Sequence, residues 1–235
     1  MTLPWLAEHD PFPPVETALR DPNGLLAAGG ELSTGRLLEA YASGIFPWFG
    51  DDDPVLWWSP DPRMVLWLRD FHVSRSLRRT IRSARYAVSL DAAFSRVMAE
   101  CAEPRDGEGG TWLTTEMRDA YNQFAALGHA HSVEVWAGSE LAGGVYGVAL
   151  GRMFYGESMF SRRRDASKVA MVYLMRQLER WGFELIDCQM STAHLASLGA
   201  REIPRAEFLR HVVRLAGLPA APSPWVLAPD LKPCE

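Results

Sequence analysis

The stretch HSVEVWAGSELAGGVYGVALGRMFYGESMF, residues 131–160, decides the fold. Residues 131–137 alternate apolar and polar, Gly138-Ser139 turns the chain, and 140–150 alternates back, which is the pattern of a β-hairpin. Gly151-Arg152 makes a second tight turn into 153–160, so three strands run antiparallel in series. Downstream, Asp165 is expected to cap a long helix bearing Val169, Ala170, Tyr173, Leu174, Leu178 and Trp181, which Gly182 stops. The next strand, ELIDCQ at 184–189, is reached through that helical crossover and is therefore expected to run parallel to the strand before it.

Upstream, MVLWL at 64–68 reads as a strand, Ser74 to Ser83 as a basic helix, and YAVSL at 86–90 as a second strand. Asp91 is expected to cap a helix through Phe94, Val97 and Met98, and Thr114 another through Met117, Tyr121 and Leu127. Short helices follow near 192–198 and 205–216. One strand, two helices, three antiparallel strands, a helix and a parallel strand is the order of the acetyltransferase-like (GNAT) fold. The expected class is α+β, with a GNAT-like catalytic domain over 63–235 and a small N-terminal domain over 1–62. The N-terminal part is rich in Pro, Gly and Trp, with one helix from its cap Ser33 through Leu37, Leu38 and Tyr41 to Gly44. Fold alone does not give function.

Composition narrows the class. The chain has 235 residues, 48% hydrophobic and 23% charged, which is the balance of a folded globular protein rather than a disordered one. No apolar run approaches the ~18–20 residues of a membrane span. The start, MTLPWLAEHDPFPP, has neither the basic nor the apolar region of a signal peptide, so the cytoplasm is the expected location. Cys101, Cys188 and Cys234 are widely spaced and form no zinc pattern, and reduced structural thiols are expected. The net charge of −5 is unevenly spread: Arg63 to Arg85 holds seven Arg and only Asp70, a local +6 on a remainder of −11.

Three groups of residues could carry chemistry. Glu157 lies in the apolar strand YGESMF, where a carboxylate is rarely buried without a partner; it either faces solvent, caps the following helix or belongs to a site. Asp187 and Gln189 are two apart on a strand and so share a face. If the strands 153–160 and 184–189 are neighbours, the three residues line one cleft suited to proton handling around an amine or alcohol nucleophile. No GxSxG and no Cys-His motif offers a covalent nucleophile. His129 and His131 share a strand face, and a structural role is expected for them rather than metal binding. On the basic helix, Arg75, Arg78, Arg79 and Arg82 recur at spacings of three and four, a one-sign stripe that fits a phosphate backbone. Arg162, Arg163 and Arg164 precede a helix start, another anion-binding position. Trp48, Trp57, Trp58 and Trp67 read mainly as an interface core, with one or two left for an apolar pocket or for stacking on a base.

PNGLLAAGGELS, GIFPWF, LWWSPDPR, GHAHSVEVW, GGVYGVALG, FYGESMFS, LIDCQ and HLASLGAREIPR, in this order from about Phe12 to Trp225, resemble the leucyl/phenylalanyl-tRNA–protein transferases. The resemblance implies a bacterial cytoplasmic enzyme that moves Leu or Phe, and less well Met, from aminoacyl-tRNA to the N-terminal Arg or Lys of a protein. The product is marked for degradation by the N-end rule pathway. It further implies no metal, no coenzyme, no membrane and a monomer. By motif, Asp187 and Gln189 match the catalytic pair, with Asp187 polarising Gln189 to help deprotonate the acceptor α-amine. Glu157 matches a carboxylate at the aminoacyl end or the reacting amine. Trp48 and Trp112 match aromatic residues around the tRNA 3′ adenosine, and Val145 and Phe154 match the aminoacyl side-chain pocket. Arg75, Arg79 and Arg82 match the basic helix that grips the acceptor stem.

Two other readings remain open on the sequence. A coenzyme-A-dependent acyltransferase of the same fold needs a glycine-bearing pyrophosphate loop before its helix, where this chain reads SRRRDASK. A non-catalytic tRNA-binding module explains the Arg stripe but leaves Glu157, Asp187 and Gln189 without a role.

Overall fold

A computed structural model describes residues 3–103, 113–231 and 233–234. Its architecture is mixed α+β, with two sheets. The first 62 residues carry β1 (Trp5–Leu6), β2 (Leu25–Gly29), α1 (Thr34–Ala42), β3 (Phe46–Pro47) and β4 (Leu56–Trp58), and the strands form a sheet ordered β1-β2-β4-β3. Ser33 caps α1 as expected, its hydroxyl accepting from Arg36 N, and Gly44 leaves the helix at a φ of 70°. Of the four tryptophans of this unit, Trp57 and Trp58 are internal, while Trp5 and Trp48 are exposed. Trp57 is buried and donates its indole N–H to Gly29 O, and Trp58 donates to Trp48 O.

The second sheet draws on β5 (Arg63–Trp67), β6 (Ala87–Leu90), β7 (Ala130–Ala137), β8 (Glu140–Leu150), β9 (Met153–Ser161), β10 (Leu185–Gln189) and β11 (Arg201–Ile203). Its order is β11-β5-β10-β9-β8-β7-β6. The helices are α2 (Arg75–Arg82), α3 (Phe94–Ala102), α4 (Thr115–Ala126), α5 (Ala166–Arg180), α6 (Ala193–Ser197) and α7 (Arg205–Ala216). The hairpin pair β7–β8–β9 forms as its alternation and turns require, and β10 runs parallel to β9 after the α5 crossover. Strand β11 is too short to show in the sequence pattern. It is three residues long and completes the edge beyond β5.

Apolar side chains on the two faces of this sheet enter separate cores. One face receives α5, Leu77 of α2 and Trp225 of the C-terminal segment. The other receives α3, α4, α7 and the N-terminal unit, including Tyr41 of α1. Strand β8 is buried on both faces, which explains its glycines. A Cβ on Gly143 would lie 2.6 Å from Ala166 Cβ at the start of α5, and one on Gly147 would lie 2.2 Å from Tyr155 O.

Two expected helix caps are corrected. Asp165 does not cap α5: it stands at a φ of 66°, makes no capping bond, and accepts instead from the Thr80 hydroxyl of α2 at 2.9 Å. Asp91 does not cap α3 either, because its carboxylate accepts from Ser132 N and faces His131. The N–H groups of Ala92 and Ala93 are taken by Glu134, which reaches them from β7. Hydrogen bonds supplied to the start of a helix from a distant strand leave no local sequence signal. Ser74 and Thr114 do cap α2 and α4. Among the described residues no helix is long and apolar enough to cross a membrane.

Candidate active site

Between β9, β10 and the β3 end of the N-terminal unit lies a cleft of about 470 Å³, within the ~300–1,000 Å³ usual for small-molecule sites. Its inner wall is apolar, from Val145, Phe154, Met159, Met171, Leu174 and Ile186. Trp48, with 37% of its surface exposed, stands at the mouth with its ring edge-on to Trp58 at 5.4 Å. Glu157 and Gln189 supply the polar part, with Thr192 and His194 of the α6 region beside them.

Both polar groups owe their positions to breaks in strand regularity. Tyr146 pairs with Ser158 and Gly147 with Gly156, so Glu157 is the extra residue of a β-bulge. The bulge reverses side-chain parity along β9. Phe154 and Met159 belong to one core, while Tyr155 and Phe160 belong to the other. On β10, Asp187 pairs with Val65 and Gln189 with Met64, which leaves Cys188 as the extra residue. Gln189 has a φ of 57°, a left-handed conformation that costs a non-glycine residue and is concentrated at functional sites. The simple two-residue rule therefore does not describe Asp187 and Gln189, although the structure does bring them together with Glu157.

Glu157 is half-buried and held by three donors. Tyr41 O–H donates to Oε1 at 2.8 Å, Gln189 Nε2 to Oε1 at 3.2 Å, and Tyr121 O–H to Oε2 at 3.3 Å. The two tyrosine oxygens also approach each other, so the single Tyr121 hydrogen is shared between Tyr41 and Glu157. Burial pushes the Glu157 carboxyl up to about 7; the Asp187 charge adds to the rise, and the tyrosine hydroxyls and Arg63 oppose it. Burial, reinforced by the Glu157 charge, holds Tyr41 and Tyr121 well above the usual phenol range, so both remain donors.

Asp187 and Arg63 form a bidentate pair with both side chains at 0% exposure. Arg63 Nε donates to Oδ1 at 2.8 Å and Nη2 to Oδ2 at 2.7 Å, while Nη1 donates to Gly44 O at 3.1 Å. The guanidinium lies over the rings of Phe46 and Phe208. Asp187 Oδ1 also accepts from Gln189 N at 3.0 Å. Asp187 thus meets Gln189 at its backbone N–H. Asp187 grips the Gln189 backbone, and the Gln189 amide reaches Glu157.

On α2, Arg75, Arg79 and Arg82 are exposed and form no ion pair among the described residues. Arg78 leaves their stripe and donates to the carbonyls of Val73 and Cys234. Arg162 and Arg163 are engaged by Glu100 and Glu140, so that run does not present a free cationic triplet. His131 faces Asp91 and Gly128 O, in keeping with a structural role. Trp112 lies outside the described residues.

Two family models match in tandem. That for the leucyl/phenylalanyl-tRNA protein transferase N-terminal domain covers residues 30–61, and that for leucyl/phenylalanyl-tRNA protein transferase covers 65–213. The chain belongs to the leucyl/phenylalanyl-tRNA–protein transferase family. A member from Nitrosospira multiformis is 58% identical over 95% of this chain and 96% of its own. Another, from Thiobacillus denitrificans, is 60% identical over 91% and 94%. Among solved structures, L-PGS from Bacillus licheniformis aligns with a TM-score of 0.39 and 12% identity over 63% of this chain and 48% of that one, a likeness too low to bear on the fold.

In this candidate site, four residues carry no functional signal in the sequence: Arg63, Tyr41, Tyr121 and Tyr155. Arg63 was visible only as part of a basic segment, and the tyrosines as apolar helix and strand positions. Tyr155 O–H donates to Tyr41 O at 2.7 Å and so ties α1 to β9 beside Glu157. A short run such as LWWSPDPR identifies the family, but nothing in it announces that its arginine reaches across to Asp187.

Proposed function

We propose that the cleft transfers Leu or Phe, and less well Met, from aminoacyl-tRNA to the N-terminal Arg or Lys of a protein. The observation that carries this reading is the family match over nearly the whole chain, and Glu157, held by Tyr41, Tyr121 and Gln189 at the polar end of an apolar cleft, supports it. The aminoacyl ester is already activated, so the protein must position the amine and manage its proton. An α-amine titrates near ~8, close enough for Glu157 to accept its proton at neutral pH. The neutral amine then attacks the ester carbonyl, the bond to the 3′-oxygen of the terminal adenosine breaks, and the second proton shed by the nitrogen passes to that oxygen, which leaves as the hydroxyl. Gln189 orients Glu157 through its amide. The Arg63–Asp187 pair holds the strained Gln189 backbone that aims that amide, so Asp187 acts by positioning. Val145 and Phe154 take the aminoacyl side chain, and Trp48 takes the adenosine at the mouth, with Trp112 as the second aromatic.

Arg75, Arg79 and Arg82 grip the acceptor-stem phosphates. Replacing all three with Ala should weaken tRNA binding and reduce the slope of log affinity against log salt by roughly 2–3. A salt titration of binding reads this directly, and an unchanged slope rejects the assignment.

We further read residues 63–235 as a GNAT-like catalytic domain and 1–62 as a small domain that supplies Tyr41 and Trp48 to its cleft. The strand order and the parallel β9–β10 pair support this reading. The setting is the cytoplasm, where charged tRNA is made, and the working unit is a monomer. The product enters the N-end rule pathway.

The experiment is direct. Purified protein is incubated with Leu-tRNA and a peptide beginning with Arg, and the peptide should gain the mass of one Leu residue. No gain with Leu-tRNA or Phe-tRNA rejects the proposal, and a gain from an acyl-CoA instead favours the coenzyme-A reading.

A further inference from the structure

Trp225 lies beyond the residues matched by the family models, in the segment that follows α7. It is 5% exposed. Its ring stacks face to face on His131 at 3.6 Å and 3°, and packs against Trp181 at 4.8 Å and Phe183 at 6.4 Å. The fourth neighbour is Phe154, whose ring is near-parallel at 6.1 Å and 28°. His131 is fixed in turn, with Nδ1 2.8 Å from Asp91 Oδ2 and Nε2 3.1 Å from Gly128 O. The segment itself is tied to α5, where Ala228 N donates to buried Gln177 and Arg180 pairs with Asp230.

Phe154 faces two ways. It lines the cleft, and it also belongs to the core that contains Trp225. Its ring lies so close to the bare backbone of Gly147 that a Cβ there would be 2.6 Å from it. Gly147 therefore blocks one direction of movement and Trp225 supports the ring from another.

We propose that Trp225 sets the aminoacyl side-chain preference by fixing the depth at which Phe154 stands. It is a positioning residue that acts through Phe154 and touches no substrate. The proposal rests on the cleft being the aminoacyl site. Removing the indole leaves a void behind Phe154, and a void in a packed core is partly filled by whichever neighbour can move. The ring then retreats, the pocket deepens, and the larger Phe side chain gains over Leu.

Internal competition tests this. Equal amounts of Leu-tRNA and Phe-tRNA are offered together with a peptide beginning with Arg, and the ratio of the two products is measured by mass. That ratio does not depend on how much enzyme is folded, so a simple loss of stability leaves it unmoved. Trp225→Leu should raise the Phe-to-Leu product ratio about 3–10-fold over the unaltered protein. Trp225→Phe should shift it less, in the same direction, and serves if the first variant does not fold. Phe154→Leu is the control for the pocket itself. A ratio that moves in Phe154→Leu but stays constant in the Trp225 variants overturns the proposal alone. A ratio constant in all three, or no transfer by the unaltered protein, overturns the aminoacyl reading of the cleft and this proposal with it.

Discussion

Asp187→Ala lowers the thermal midpoint by about 10 °C, before any effect on chemistry is considered. The reason is the environment of its partner. Arg63 and Asp187 are both fully buried, and their bidentate contact is what makes the two charges tolerable there. Removing one member leaves an uncompensated guanidinium between Phe46 and Phe208. Breaking a buried pair in this way typically costs about 3–5 kcal/mol, and each kcal/mol moves the midpoint of a chain of this size by roughly 2–4 °C. Replacing both partners with apolar residues, Arg63→Met with Asp187→Leu, should recover most of the loss because no charge is left stranded. Transfer should not recover, since Gln189 N then loses its acceptor and the left-handed turn at Gln189 loses its support. Thermal melts and single-turnover transfer on the two variants separate the contributions. A midpoint within about 2 °C of the unaltered protein for Asp187→Ala would remove the pair from any account of stability.

Glu157→Gln abolishes most of the activity while keeping the shape of the site. The Tyr41 and Gln189 donors keep an oxygen acceptor, and the Tyr121 hydroxyl can turn to accept from the new amide. Only the ability to take a proton is lost. General-base assistance is worth about 10²–10⁴-fold, and kcat/KM should fall by that factor with tRNA affinity preserved. In the unaltered protein kcat/KM should rise with pH through about 7 as Glu157 ionises, and in the variant that limb should disappear. The stability consequence has the opposite sign. The carboxyl titrates higher in the folded protein than in the unfolded chain, so the native state holds the extra proton between the usual carboxylate range and about 7. Folding stability therefore declines as pH rises through that window, and Glu157→Gln should remove the decline. A variant with unchanged kcat and a weakened KM for charged tRNA would instead make Glu157 a binding group.

Both predictions show where the reading of residues alone stops. The β7–β8–β9 series, the α5 crossover and the parallel β10 were legible because each follows from local periodicity and from glycines at turns. The caps at Ser33 and Thr114 were legible for the same reason, while the start of α3 was not, because Glu134 reaches the N–H groups of Ala92 and Ala93 from another strand. Glu157, Asp187 and Gln189 stood out as polar residues in apolar strands. Their chemistry did not, because it depends on partners far away in the chain. Arg63 is 124 residues from Asp187, and Tyr41 is 116 residues from Glu157.

The sequence by itself therefore determined the order of the main elements from β5 to α7 apart from β11, the family and the identity of the polar residues on β9 and β10. Those are properties of short windows, where side-chain periodicity and turn chemistry act between near neighbours. The tertiary structure decided which way those residues point and what charge state they favour. Two β-bulges reverse the alternation that a regular strand would impose, at Glu157 and at Cys188. The placement of β5 beside β10 brings Arg63 to Asp187, and the packing of α1 and α4 on the sheet brings two tyrosine hydroxyls to Glu157. Burial and charge act through space, and only the folded chain sets those distances.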